Sequence, residues 1–313
     1  MVKSMNSGQR TVVIGFAGNA SKNNFWEAVD VATSWLQRNN VPFRVDREII
    51  DAGLGIAASD GFDWNEVASD KLGDDSDVIL SFGGDGTFLT TAWRYGQSGT
   101  PILGVNLGRL GFLADVDADE IVPALQAIVD GNHKTVPRRA LEVIHSHDGV
   151  DTSHWGLNEV VIARSGNPGL ITISVGVDGN HLNNYWADGL IVSTPTGSTA
   201  YSLSSGGPIV DPGTDALILT PLASHTLTMR PIVLPGSVSL DLHVADGDLP
   251  IVFAIDGRSV MLDKPGSTLQ IRMASQPVHM VQLPGAHFFD TLREKLMWGF
   301  RKRRRSATDP VVP

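Results

Sequence analysis

The stretch Gly83-Gly84-Asp85-Gly86-Thr87 gathers residue types that can handle phosphate. A strand-like run, Asp77 to Phe82, leads in, and a helix-compatible run, Phe88 to Trp93, leads out. At such a helix start the backbone N–H groups point outward and carry partial positive charge. Glycines let a phosphate approach them closely. This is not a Walker loop, since no Lys-Ser/Thr follows, and Leu89 fills the third site of the dinucleotide fingerprint. The loop has no cation of its own, so polyphosphate charge calls for Mg²⁺ or for arginines from elsewhere. Asp85 does not suit a pure phosphate cradle, because a carboxylate repels phosphate. It suits a Mg²⁺ ligand, or a base facing a hydroxyl that attacks the phosphate. Asp also favours helix N-caps.

Three further stretches fall where strands meet loops. Asn106, Gly108 and Gly111 follow the apolar run Ile102 to Val105. Asn158 and Glu159 open the run to Ala163. Residues 187–212 are dense in Ser, Thr and Gly. Singly, each reads as turn chemistry or an exposed strand end. Together they offer what a nucleoside needs: Asn and Ser/Thr for base edges, carboxylates for ribose hydroxyls, and Tyr201 for stacking.

The elements that position these residues divide in two. Up to about residue 130, strand and helix patterns alternate. Thr11 to Phe16 reads as a buried strand, and Phe25, Val29, Ala32 and Leu36 mark a helix over 24–38. Val41 to Ile49, Asp77 to Phe82 and Ile102 to Val105 read as strands, and Ile121, Leu125 and Ile128 mark a helix stopping at Gly131. The pattern predicts a Rossmann-like, doubly wound α/β domain over 1–130, with 52–72 unassigned. From 131 to 285 short β-rich runs predict an all-β, sandwich-like domain. Val238 to Val244, Ile251 to Ile255 and Thr268 to Met273 alternate, and Asp178-Gly179 and Asp246-Gly247 signal hairpins. Helical spacing returns from Phe288 to Arg305, predicting a C-terminal helix, with a basic tail, that packs back on the first domain over 286–313.

Composition narrows the classes. The 313 residues carry 24 Lys and Arg against 34 Asp and Glu, a net charge of −10, which disfavours nucleic acid as a partner. Seven Lys and Arg crowd the segment after Ala286, and the cluster Arg301 to Arg305 reads as a solvated helix end. With no cysteine, disulfides and thiolate metal sites are excluded. No stretch approaches the ~20 apolar residues of a membrane span. Met1 to Arg10 lacks a signal-peptide core, so a cytoplasmic protein is expected.

In chain order, Gly83 to Thr87, Asn106 to Leu113, Asn158-Glu159, and Asp188-Gly189 running into Ser193 to Ser202 resemble the motifs of NAD kinases. The resemblance covers residues 10–285. Its first motif is shared with lipid kinases and phosphofructokinases; the 193–208 block is specific. The resemblance implies phosphorylation of the 2′-hydroxyl of the adenosine ribose of NAD⁺, from ATP or another phosphate donor, with a divalent metal, usually Mg²⁺. It places Asp85 at that hydroxyl as catalytic base, with Gly84, Gly86 and Thr87 around phosphate. Phe112 would line the dinucleotide pocket. Asn158 and Glu159 would bind the adenosine, and Thr199, Ala200, Tyr201 and Ser204 would continue that pocket. Asp188 would sit near the nicotinamide or a neighbouring subunit, and Asp256 near the phosphate. No metal ligand is assigned. The resemblance also implies a homodimer or homotetramer. Trp186 departs from it, standing where many members have Arg or Gly. A lipid kinase sharing the loop and a non-catalytic NAD(P)-binding sensor are the alternatives. The polar 193–208 block disfavours the first, and a retained Asp85 the second.

Overall fold

Ile14–Gly18, Val78–Gly83 and Ile102–Asn106 are apolar nearly throughout because both faces of their sheet are covered. The computed structural model describes residues 11–298 except 54–62, 109–110, 167–168 and 263. The basic cluster 301–305 lies outside these residues.

The first sheet runs Ala68–Ser69, Phe43–Asp46, Ile14–Gly18, Val78–Gly83, Ile102–Asn106, Val278–Gln282 and Lys134–Arg138, with Ala114–Asp117 also paired to Ile102–Asn106. All pairs are parallel except the last strand of that path. Helices Phe25–Arg38 and Ile121–Val129 cover one face, packing Val29, Leu36 and Leu125 against Phe16, Leu80 and Phe82. Helix Asp85–Tyr95 covers the other, packing Phe88 and Ala92 against Ile79 and Ile102. The strand order reverses between Ile14–Gly18 and Val78–Gly83, so the loops after these two strands flank a crevice. Open α/β sheets bind ligands at such a switch point.

Two six-stranded antiparallel sheets follow. One runs Ile232–Pro235, Ala216–Leu222, Gly189–Ser193, Glu159–Arg164, Ile251–Ile255 and Arg258–Leu262. The other runs Asn180–Ala187, Ile171–Val177, Leu240–Val244, Thr268–Met273, Leu141–His147 and Val150–Gly156. Alternate residues such as Val160, Ile162 and Phe253 face Ile173, Leu242 and Ile271 across the sandwich core. The fold is thus an N-terminal α/β domain, an antiparallel β domain and a C-terminal helix.

The structure departs from the sequence reading at several points. The strand expected over Val41 to Ile49 stops at Asp46, where helix Arg47–Gly53 begins. Within 52–72 lie the 3₁₀ turn Trp64–Val67 and the short strand Ala68–Ser69. Asp178-Gly179 is a hairpin turn, with φ of 49° and 76°. Asp246-Gly247 is not: it lies in a 3₁₀ turn that carries the chain from one sheet to the other. The last helix, Phe288–Lys295, ends well before Arg305; Met297 follows with φ of 54°, which no helix tolerates. Its Lys295, 5.6 Å from the Phe112 ring centroid, brings it to the first domain. Lys134–Arg138 and Val278–Gln282, which the sequence pattern places with the β-rich half, complete the first sheet instead. The chain enters and leaves the sandwich through this pair.

Candidate active site

Asp85 is the first residue of its helix, and the capping position before it is Gly84. Its side chain makes no cap. It reaches across to another loop: Oδ2 accepts the N–H of Phe112 at 2.9 Å, and Oδ1 those of Leu113 and Ala114 at 3.0 and 3.2 Å. This sets aside the N-cap reading. It also explains Gly111, where a Cβ would run into the Asp85 carboxylate. Gly83 is required by packing too, since a Cβ there would strike the Thr87 side chain. Gly84 and Gly86 are different: a Cβ on either would meet nothing within 4 Å, so the mouth of the loop is open. Beside it lies a cavity of about 400 Å³ between Gly18–Ser21 and Gly86, Thr87 and Thr90, with Arg94 in its wall. Arg94 is held there by Asp46, at 2.5 Å, and by Glu48, at 2.9 Å.

Asn106 is a loop-builder. Its amide donates to Gly108 O and Asp117 Oδ1, and its oxygen accepts the Gly108 N–H.

A second group forms at one end of the sandwich. Asp256 holds the turn after Ile251–Ile255, with φ of 45°. Its Oδ2 accepts Leu157 N–H at 2.6 Å, and its Oδ1 accepts those of Asn158 and Glu159 at 2.9 and 3.1 Å. Asn158 is only 7% exposed, yet its Oδ1 has no partner among the described residues. The same holds for Oε2 of Glu159 and for the hydroxyls of Ser193 and Thr196. Ser193 stands directly across the strand pair from Glu159. Burial pushes the Glu159 carboxyl up to about 8, the Asp256 charge adds to this, and the Tyr201 N–H opposes it. Asp256 is itself raised by burial, against the pull of its three N–H donors and Arg258.

Much of the Ser/Thr block is scaffold. Thr194 Oγ1 donates to Leu157 O and accepts Gly197 N–H, and Ser198 Oγ accepts Val210 N–H. A Cβ on Gly197 would enter the Asn158 backbone, so this loop lies flush on the Asn158 segment. Ser202 and Thr220 share a hydrogen bond beneath it. Thr199 bonds Thr196 O, and Ala200 is half-buried beside it. Tyr201 is 47% exposed, and Ser204, also exposed, donates to Tyr201 O. Asp188 is not brought to this group. It precedes Gly189, which pairs with Ala163, while Glu159 pairs with Ser193 at the other end of the strand. At the usual rise that is about 13 Å along the strand. Trp186 is exposed, its ring 4.3 Å from that of His225.

Sequence reasoning missed the residues that join the groups. Trp155 packs with Phe88, Ala92 and Tyr95 of the Asp85 helix, and the Arg258 guanidinium lies 4.8 Å from the Trp93 ring centroid. A large aromatic before Gly156 is the only local signal of this.

An acid-bearing loop at the switch point of an α/β sheet, joined to strand ends whose buried amide and carboxylate atoms lack partners among the described residues, fits a kinase-type phosphotransferase. Comparison with known proteins makes this particular. Residues 13–133 match the family model of the ATP-NAD kinase N-terminal domain, and 157–283 that of the C-terminal domain. The chain belongs to the NAD kinase family. It is 46% identical to the NAD kinase of Gemmatimonas aurantiaca over 71% of this chain and 78% of that one. It is 41% identical to that of Bacteroides fragilis over 81% and 84%. Among solved structures, yeast NADH kinase complexed with NADH superposes with a TM-score of 0.85 at 23% identity, covering 95% of this chain and 91% of that one. An Archaeoglobus fulgidus NAD kinase in complex with ATP gives 0.67 at 24% identity, covering 91% and 98%. These two likenesses speak to the fold.

Proposed function

We propose that this kinase transfers the terminal phosphate of ATP to the 2′-hydroxyl of the adenosine ribose of NAD⁺, giving NADP⁺. The observation that carries the acceptor side is the buried Asn158 Oδ1, which has no partner among the described residues. A buried unsatisfied acceptor costs about 1–3 kcal/mol unless something donates to it. An exocyclic amine or a ribose hydroxyl would do so, and Glu159 Oε2 and Ser193 Oγ offer further polar contacts.

On the donor side, the open faces of Gly84 and Gly86 and the start of the Asp85 helix suit phosphate, with Thr87 beside them. Asp85 Oδ2 takes one N–H and so keeps one acceptor site. A 2′-hydroxyl placed there would give up its proton to Asp85 as its oxygen attacks the terminal phosphorus in line. The carboxylate is already oriented by three N–H donors, so it aims the hydroxyl as well as accepting from it.

Among the described residues no three His, Asp or Glu gather as a metal cage. Mg²⁺ fits without one, because it is commonly held by one or two carboxylates plus substrate phosphates. Here the donor phosphates and water would supply its ligands, since the remaining acceptor site of Asp85 goes to the hydroxyl. When bound, the ion would offset phosphate charge.

Phe112, Thr199, Ala200, Tyr201 and Ser204 would complete the dinucleotide pocket. Asp188, remote from Glu159 in its own chain, would serve a neighbouring subunit of a homodimer or homotetramer. Among the described residues no helix is long and apolar enough to cross a membrane. A cytoplasmic setting, where NAD⁺ and ATP are both at hand, belongs to the same proposal.

The test is NADP⁺ formation from NAD⁺ with ATP or polyphosphate, with and without chelator. Turnover with ATP that stops in EDTA is the expected result. Turnover on polyphosphate alone, or undiminished turnover in EDTA, would reverse the donor or metal assignment. Light scattering showing a fully active monomer would remove the subunit role of Asp188.

A further inference from the structure

We infer that Arg258 is a positioning residue for this reaction: it fixes the Asp85 helix against the Asn158–Glu159 segment without touching either substrate. The inference rests on the function proposed above.

Asp85 and Glu159 belong to different domains, so their alignment depends on what ties the two together. Arg258 follows the Asp256-Gly257 turn and opens the strand Arg258–Leu262. Its guanidinium does two things at once. It lies 4.8 Å from the ring centroid of Trp93, two turns along the helix that starts at Asp85. Its Nη2 donates to the Trp155 carbonyl at 2.8 Å. The Trp155 side chain packs on Phe88 and Ala92 of the same helix. Asp256, two residues before Arg258, holds the N–H groups of Leu157, Asn158 and Glu159. A continuous set of contacts therefore runs from the helix, through Trp93 and Arg258, to the clamp on the acceptor-binding segment.

A surface arginine would lie in solvent or pair with an exposed acid. Arg258 instead spans two domains, and burial lowers its pKa while the Asp256 charge raises it. Cation–π contacts strengthen on desolvation. Trp93 is 50% exposed, a large apolar surface to leave on a helix, and Arg258 lies over it. Phosphoryl transfer is sensitive to such alignment, since a shift of about 1 Å can cost ~10²-fold in rate.

The test compares Arg258→Met, Arg258→Lys, Trp93→Leu and the Met/Leu double variant, each checked by thermal melting. With NAD⁺ and ATP saturating, Arg258→Met should lose about tenfold or more in kcat. Its KM for NAD⁺ should move by less than about threefold, since the Arg258 side chain holds protein groups and not substrate. Arg258→Lys should recover part of kcat, and the double variant should be no worse than Arg258→Met, because both changes break the same cation–π pair. Trp93→Leu, a surface change, carries the test if Arg258→Met does not fold. A kcat within about twofold of wild type in both single variants, additive losses, or losses that track only the folded fraction would overturn the inference. Absence of NADP⁺ formation by the wild type would instead overturn the function on which it rests.

Discussion

Asp85 and Asp256 use their carboxylates in the same way in the two domains. Each accepts the N–H groups of three successive residues: Phe112 to Ala114 for the first, Leu157 to Glu159 for the second. Hydrogen bonds to a charged group contribute about 1.5–3 kcal/mol each. The segments carrying Phe112 and Asn158–Glu159 are thus shaped by acids distant in the chain.

Asp256→Asn tests the second clamp. An amide NH₂ would face backbone N–H donors where an oxygen now accepts. The Asn158 segment should loosen, and KM for NAD⁺ should rise about tenfold or more, a cost of one or two such bonds. Binding calorimetry with NAD⁺ checks this. An unchanged affinity in a folded variant would mean that the clamp does not set Asn158.

Gly111→Ala tests the first. The added methyl would strike the Asp85 carboxylate, so loop and acid must separate. Steady-state assays should show kcat down about tenfold or more. Gly247→Ala, where a Cβ meets nothing within 4 Å, is the control and should keep wild-type turnover. Equal behaviour of the two would remove the steric account.

Asn158→Ala and Glu159→Ala should act on binding first. Either removes an acceptor meant for substrate, at about 1–3 kcal/mol, so KM for NAD⁺ should rise at least as much as kcat falls. Saturation kinetics decide this, and an Asn158→Ala enzyme with both parameters unchanged would misplace the nucleoside.

The raised Glu159 carboxyl gives a pH signature. The folded state holds this proton up to about 8, whereas the unfolded chain releases it near 4.5. The native state thus binds more protons between these values, and stability falls as pH rises through that window. Below the lower value the contribution is complete. Glu159→Gln fixes the neutral form, so its urea midpoint should exceed that of wild type more at pH 9 than at pH 5. A difference independent of pH would show that Glu159 ionises normally.

Legibility in the sequence followed the range of the interactions. Apolar runs such as Val78–Gly83 and alternating ones such as Ile251–Ile255 carry their own signal, because burial on two faces or one dictates residue type locally. Val150–Gly156 carries little: it is an edge strand whose first four residues are exposed, three of them polar. Lys134–Arg138 and Val278–Gln282 could be read as strands only, since nothing local says which sheet they join. The same limit applied to the site. Asp85 was visible as an acid in a phosphate loop. Its partners, 27 to 29 residues away, were not, nor was the span of Arg258 to Trp93.

Transfer to the 2′-hydroxyl of the adenosine ribose can be measured directly. The direct measurement gives the wild-type enzyme ATP, Mg²⁺ and one of three acceptors: NAD⁺, its adenosine 2′-deoxy analogue or its 3′-deoxy analogue. Phosphate transfer is followed by phosphorus NMR. A 2′-phosphate should appear on NAD⁺ and on the 3′-deoxy analogue. The 2′-deoxy analogue should receive none, yet still compete with NAD⁺ for binding. Phosphorylation of the 2′-deoxy analogue, or a 3′-phosphate on NAD⁺, would overturn the assignment of the 2′-hydroxyl.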